Sequence, residues 1–200
     1  MKFTILIPTL KSRENHLVRL LDILLPQIGQ WTYSEATFNY YNGTLANILI
    51  LKDNKEMTVG FKRNALIKSC KTEYFSFIDD DDIVSHEYVA CINRKLKSEP
   101  DVVTFWGYRY HNGKKDRRVN YDIKFDKDLN PPQEYQRLPN HLCVWRKELA
   151  EEFKDISYGE DADWAIRMKG KAIKQEKVDK ILYTYLFNQH TTETQRDFFS

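Results

Sequence analysis

The chain has 200 residues, 42% hydrophobic and 30% charged, which excludes a disordered or fibrous polypeptide and leaves room for one sizeable core rather than two. Its 31 Lys and Arg against 29 Asp and Glu give a formal net charge of +2, too even a balance to mark a nucleic-acid binder by charge alone. Cys70, Cys91 and Cys143 are odd in number and contain no CxxC pair, so neither a disulfide framework nor a zinc ribbon is expected, and a reducing, cytoplasmic compartment fits best.

Met1 to Leu10 reads as a buried strand and not a secretion signal, because polar Lys11 to Asn15 follow at once. No apolar run approaches the roughly 20 residues that span a bilayer, so any membrane association is expected to be peripheral. Phe3 to Ile7 is apolar without alternation, as in a strand covered on both faces, and Pro8 is expected to end it. Ser12 is placed to cap a helix whose Leu17, Leu20, Leu21, Leu24 and Leu25 recur at helical spacing, stopping near Pro26 to Gly29.

Asn47 to Leu51 reads as a second strand. Thr58 caps a short helix carrying Phe61, Ala65, Leu66 and Ile67, and Tyr74 to Ile78 forms a third strand that ends in the acidic run Asp79 to Asp82. Ser85 opens a helix through Val89 and Ile92 to Leu96. Alternating strands and helices predict an α/β fold with a mostly parallel central sheet flanked by helices. In such sheets ligands bind beyond the carboxyl ends of the strands, where residues 8–13, 52–63 and 79–82 all fall.

After Asp101 the pattern changes. Val102 to Trp106 reads as a strand, 108–136 is polar with little periodicity, and Leu142 to Trp145 is a short apolar piece. Gly159 to Asp161 lead into a helix with Ala165, Ile166 and Met168 inward, and Ile181 to Phe187 is a late strand. One domain over 1–200 is expected, with 101–200 an elaboration of 1–100.

Asp79, Asp80, Asp81 and Asp82 are four consecutive carboxylates at the end of a buried strand, costly unless solvent or a cation compensates them. Mg²⁺ or Mn²⁺ takes carboxylate oxygens and bridges to substrate phosphates; a solvated acidic turn is the simpler alternative. A calcium hand is excluded, since its sixth position, counted from Asp79, would be Val84 rather than glycine. Glu160, Asp161 and Asp163 enter a helix, where capping accounts for one or two of them and leaves room for a general base. Lys62 and Arg63 can neutralise a diphosphate or simply face solvent.

His141 and Cys143, two apart, read as core residues, whereas His190 follows a late strand and is a candidate to complete an oxygen-rich metal shell. No GxSxG elbow, HExxH helix or zinc-deaminase signature is present. Lys114, Lys115, Arg117 and Arg118 form a basic stretch interrupted by Asp116, read as a solvated loop.

Ile5-Leu6-Ile7-Pro8-Thr9, Asp53, Gly60-Phe61-Lys62-Arg63-Asn64, Phe77 to Asp82 and Gly159-Glu160-Asp161 with Arg167 follow one another in an order and spacing that resembles the family 2 glycosyltransferases of the GT-A fold. The resemblance covers nearly the whole chain. It implies that the loop of Pro8 and Thr9 borders a nucleoside, that Asp53 contacts its base or ribose, and that Arg13, Lys62, Arg63 and Asp80 belong with the donor. It places the metal motif on Asp79 and Asp81, with Asp82 adjacent and His190 in the position of a late ligand. Glu160 and Asp161 match the family's acidic pair, whose base is usually the aspartate.

The implied activity is metal-dependent, inverting transfer from a nucleotide-diphosphate sugar, a uridine one by resemblance, to the hydroxyl of a carbohydrate or glycoconjugate. A long basic groove through Lys114 to Arg118 would instead admit modified nucleic acid as acceptor. A metal-dependent nucleotidyltransferase and a non-catalytic nucleotide-sugar-binding module are the alternatives. Residues 30–46 insert an aromatic-rich piece that the family pattern lacks.

Overall fold

The computed structural model describes residues 3–187, and His190 lies outside them. β1 (Phe3–Leu10) runs three residues past Ile7. Pro8 does not stop it because the ladder to one neighbour has already ended at Leu6, so the missing N–H falls where β1 is paired on one side only. Residues 11–13 form a 3₁₀ turn, and α1 (Glu14–Leu24) begins without a side-chain cap, so Ser12 does not cap it. Leu17, Leu20, Leu21 and Leu24 are its buried face.

The inserted 30–46 segment is a hairpin of β2 (Trp31–Glu35) and β3 (Asn39–Gly43) on the sheet edge, followed by β4 (Asn47–Asp53). The Thr58 hydroxyl accepts from Phe61 N at 3.0 Å and caps α2 (Val59–Ser69) as the sequence predicts. Then come β5 (Tyr74–Phe77), the short β6 (Ile83–Val84) and α3 (Tyr88–Leu96).

The stretch without periodicity holds a long hairpin. β7 (Val102–His111) and β8 (Lys114–Tyr121) are joined by Asn112 and Gly113, both at positive φ, and β9 (Glu134–Arg137) lies beside β8. Asn-Gly is a strong short-range hairpin signal. The flanking alternation is masked because guanidinium and ammonium groups, not apolar chains, cover its rings: Arg118 lies over Trp106 at 4.6 Å and Lys115 over Tyr108 at 4.5 Å.

β10 (Val144–Arg146), α4 (Glu160–Met168) and β11 (Gln175–Phe187) complete the described elements. In α4, Trp164, Ala165 and Met168 face inward and Ile166 is exposed. Residues 164, 165 and 168 share one helical face, and 166 is rotated about 100° from 165.

The eleven strands of the described residues join in one sheet, ordered β2-β3-β4-β1-β5-β10-β7-β11-β6, with β8 and β9 extending from the outer half of β7. The expected helix-flanked α/β sheet is parallel through β4-β1-β5 and between β7 and β11. It is antiparallel where β10 joins β5 and β7 and where the hairpins add on. No helix among the described residues is long and apolar enough to cross a membrane. The three cysteines are buried and unpaired.

Candidate active site

A cleft of about 640 Å³ opens at the carboxyl ends of β1 and β5, the edge that the parallel topology favours for ligands. Pro8, Thr9, Arg13, Lys62, Arg63, Asp79, Asp80, Asp81, Glu160 and Asp161 all line it. Sequence positions 150 apart are therefore neighbours in one site.

The acidic run is compensated from within the protein. Arg13 reaches Asp80 at 2.6 Å and Asp81 at 2.7 Å, and the Arg63 guanidinium lies 3.2 Å from Asp79. Burial alone would raise the Asp79 carboxyl, but Arg63 and the His141 ring outweigh it and hold it below the ordinary range. Asp80 goes the other way: burial pushes it up to about 6 against the opposing pull of Arg13 and the Thr9 hydroxyl, which donates to it.

Asp82, expected beside the metal motif, is not on the cleft wall with Asp79 and Asp81. It is buried and turned toward β11, accepting from the Tyr183 hydroxyl at 2.6 Å and from Leu186 N at 2.8 Å, and it is absent from the cleft wall. Burial, with repulsion from Asp81 and Asp79, raises it well above the usual carboxylate range. Four acids in a row cannot all face one opening, because a turn closes over them through Asp82 N and the Asp79 carbonyl.

Asp53, expected to contact a nucleoside's base or ribose, is likewise not part of the cleft wall. Its carboxylate accepts from Lys62 Nζ at 2.7 Å and from Met57 N at 2.8 Å beneath the cleft, where both charged partners are buried. Lys62 is committed to this pair and to the Thr9 carbonyl at 3.2 Å. It lines the cleft while bracing β4 to β1.

Arg63 links the two halves of the chain. Buried over the Phe77 and Phe153 rings, it contacts Asp79 on one side and Glu160 at 3.2 Å on the other. Gly60 allows α2 to approach so closely that its N–H donates to the Ile156 carbonyl at 3.0 Å, and Asn64 pairs with both backbone groups of Phe153. This helix carries the residues 153–156 that lead to α4.

The acids of α4 separate by environment. Asp163 is tied to Lys154 at 2.5 Å and Arg167 at 2.7 Å, and Arg167 also holds Glu151. Glu160 is buried, and that burial raises its carboxyl despite Arg63. Asp161, with a side chain 43% exposed, keeps an open face on the cleft.

His141, read from the sequence as a core residue, is buried as expected and also stands on the cleft wall. It is buried between the two acidic groups, Nε2 at 3.5 Å from Asp79 and Nδ1 at 4.0 Å from Asp161. Its only sequence cue is Asn140-His141 before an apolar strand, which matches a core position equally well. Arg109, Tyr121, Tyr135, Arg137, Tyr158 and Tyr185 also line the cleft from the second half.

Among the described residues no three His, Cys, Asp or Glu side chains converge into a metal cage. Asp79 and Asp81, both on the cleft wall, fit the alternative in which one or two carboxylates share Mg²⁺ or Mn²⁺ with substrate phosphates.

The model of the family described as "Glycosyl transferase family 2" matches residues 39–154, more than half of the sequence. The chain belongs to this family. Its fold is that of GT-A glycosyltransferases: S. aureus TarS 1-349 superposes with a TM-score of 0.65 at 16% identity, covering 93% of this family 2 chain and 60% of TarS 1-349. The same fragment in complex with UDP gives 0.65 at 16% identity, over 94% and 61% of the two chains. In complex with UDP-GlcNAc it gives 0.62 at 18%, over 94% and 59%. The chain thus spans about three fifths of the fragment it resembles. No curated protein sequence matches it.

Proposed function

We propose that this family 2 chain transfers a sugar from a nucleoside diphosphate sugar to an acceptor hydroxyl with inversion at the anomeric carbon. The carrying observation is the sorting of the α4 acids, which leaves Asp161 open on a cleft that also gathers Asp79, Asp81, Arg13 and Arg63. A uridine diphosphate sugar is the first donor to test, since S. aureus TarS has been solved with UDP and with UDP-GlcNAc.

In the reaction the acceptor oxygen bonds to the anomeric carbon as the bond to the diphosphate breaks. The hydroxyl proton passes to Asp161. Negative charge grows on the departing diphosphate; Arg13 and Arg63 line the cleft and would share their charge between it and the carboxylates they pair. Asp79 and Asp81 would hold Mn²⁺ or Mg²⁺, which supplies further neutralisation of the leaving group. A single displacement from the face opposite the leaving group inverts the sugar, by the geometric logic known from glycosidases.

Product analysis with Mn²⁺ and a uridine diphosphate sugar tests this. Release of UDP supports the proposal; no UDP from the UDP-sugar, with release of pyrophosphate when a nucleoside triphosphate and a sugar 1-phosphate are supplied instead, would make the chain a nucleotidyltransferase. Metal-dependent donor binding without turnover over a broad acceptor panel would reduce it to a binding module. Full activity after exhaustive chelation would remove the metal.

A further inference from the structure

The cations of β7, β8 and β9 are divided between the two faces of the sheet. Register pairs Trp106 with Asn120 and Tyr108 with Arg118, and Lys115 and Arg118 lie over the Tyr108 and Trp106 rings on the face turned away from the cleft. The basic stretch after the hairpin turn therefore does not lead out of the site as a groove. On the other face Arg109 stands opposite Tyr185, Val119 opposite Tyr135, and Tyr121 opposite Arg137, and all six line the cleft.

This wall brings two guanidinium groups to the cleft and no carboxylate, since the acids lining the cleft belong to residues 79–81 and 160–161. Arg137 is already engaged: it donates to the Leu129 and Gln136 carbonyls and to the Asn130 side chain, and lies 3.6 Å from Asp128. Arg109 is not. Its Nη1 donates to the Tyr135 hydroxyl at 3.1 Å, but its buried Nε has no hydrogen-bond partner, and among the described residues its Nη2 has none either. Asp116 lies 3.8 Å from that Nε, too far for a hydrogen bond, and divides its charge between Arg109 and Arg117 while accepting from the Tyr135 hydroxyl at 2.8 Å. It does not line the cleft.

A buried charged donor without an acceptor is costly, and folded proteins seldom keep one without a use. Arg13 Nε and Arg63 Nη1 are also unpartnered, but both side chains are held by the acidic run. Arg109 stands apart from that run on the wall contributed by the second half of the chain. Nε and Nη2 share one edge of its guanidinium, the edge that gives two parallel hydrogen bonds to a carboxylate or a phosphate. A neutral sugar hydroxyl would satisfy one of these donors and leave the charge uncompensated.

Resting on the glycosyltransferase reading above, we infer that the acceptor carries an oxyanion, a carboxylate or a phosphate group, bound by the Nε and Nη2 edge of Arg109. The Tyr135 hydroxyl fixes the orientation of that edge, and the hydroxyl to be glycosylated lies beside Asp161. The subsite selects anionic acceptors over neutral ones of the same shape.

The test is a titration of acetate and, separately, of inorganic phosphate into ¹⁵N-labelled protein saturated with UDP and Mg²⁺, at constant ionic strength. Nuclear magnetic resonance reads the backbone amides and the arginine Nε–H signal that disappears in Arg109→Gln. UDP binding is followed in parallel by thermal shift. The expected result is a saturable change at Arg109 and its neighbouring strands with at least one anion, the arm that saturates naming the group. Affinity read from the β7 amides should fall about tenfold or more in Arg109→Gln, the scale of a lost charge-assisted pair. It should be unchanged in Lys115→Ala, which removes the same charge from the opposite face. With UDP-GlcNAc as donor, UDP release should be faster with methyl glucosiduronate or methyl glucoside 6-phosphate than with methyl glucoside, and Arg109→Gln should erase the difference. No saturable change with either anion, equal weakening in Lys115→Ala, or faster transfer to the neutral glucoside, with the UDP shift intact, would overturn the inference and leave the donor reading standing. Displacement of the anion by UDP would assign Arg109 to the donor diphosphate and overturn it as well. Absence of a UDP shift in the unmodified protein would strike the donor reading instead.

Discussion

Replacing Arg63 by Leu tests the idea that one buried guanidinium joins the donor edge to the catalytic edge. The native side chain is 5% exposed, 3.2 Å from both Asp79 and Glu160, and packed over two aromatic rings. Leucine keeps much of the apolar packing but leaves two acids without their shared cation. Breaking a buried ion pair by removing one partner costs about 3–5 kcal/mol. For a domain of this size that lowers the midpoint of thermal unfolding by about 10 °C.

The pH dependence separates charge from packing. In the native protein Asp79 is held below its ordinary value, so its pairing adds stability at neutral pH that is lost only as pH falls through the depressed pKa. Without Arg63, burial would raise both acids above their unfolded values of about 4, a penalty present at neutral pH and relieved once they protonate. The deficit measured by circular dichroism should therefore be larger at about pH 7.5 than at about pH 5. Arg63→Leu/Glu160→Gln should recover on the order of 1–3 kcal/mol relative to the single variant. A deficit below about 1 kcal/mol, or one equal at both pH values, would refute the bridging role.

Asp161→Asn should keep the fold and metal-dependent UDP binding while slowing turnover about 100-fold or more; near-normal turnover there with collapse in Glu160→Gln would move the base to Glu160. Calorimetry of Asp81→Ala should show lost metal-dependent UDP binding, whereas Asp82→Asn should retain it, since Asp82 faces β11; equal loss in both would return Asp82 to the metal site. In Gly60→Ala the added methyl would overlap the Lys154 carbonyl oxygen, and a destabilisation of about 2–3 kcal/mol in urea unfolding is expected. Unchanged stability would mean that α2 and residues 154–156 separate without cost.

The alternation of apolar strands and helices from Phe3 to Leu96 was legible in the sequence because local spacing and burial agree there. Thr58 caps α2 as its position requires, and the four aspartates follow a strand whose every residue is buried. The second half was less legible. β8 and the part of β7 beyond Trp106 hide behind cations laid over their own rings, and the Asn112-Gly113 turn is what betrays them.

What each candidate acid does was decided by tertiary structure alone. In sequence, Asp79 to Asp82 are chemically alike, as are Glu160, Asp161 and Asp163. Folding assigns Asp80 to Thr9 and Arg13, Asp82 to Tyr183 and Asp163 to Arg167, leaving Asp161 with an open face. His141 shows the same limit, being placed against Asp79 and Asp161 by contacts 62 and 20 positions away along the chain. A titrating group takes its properties from the charges and burial around it, and those come from residues remote in sequence.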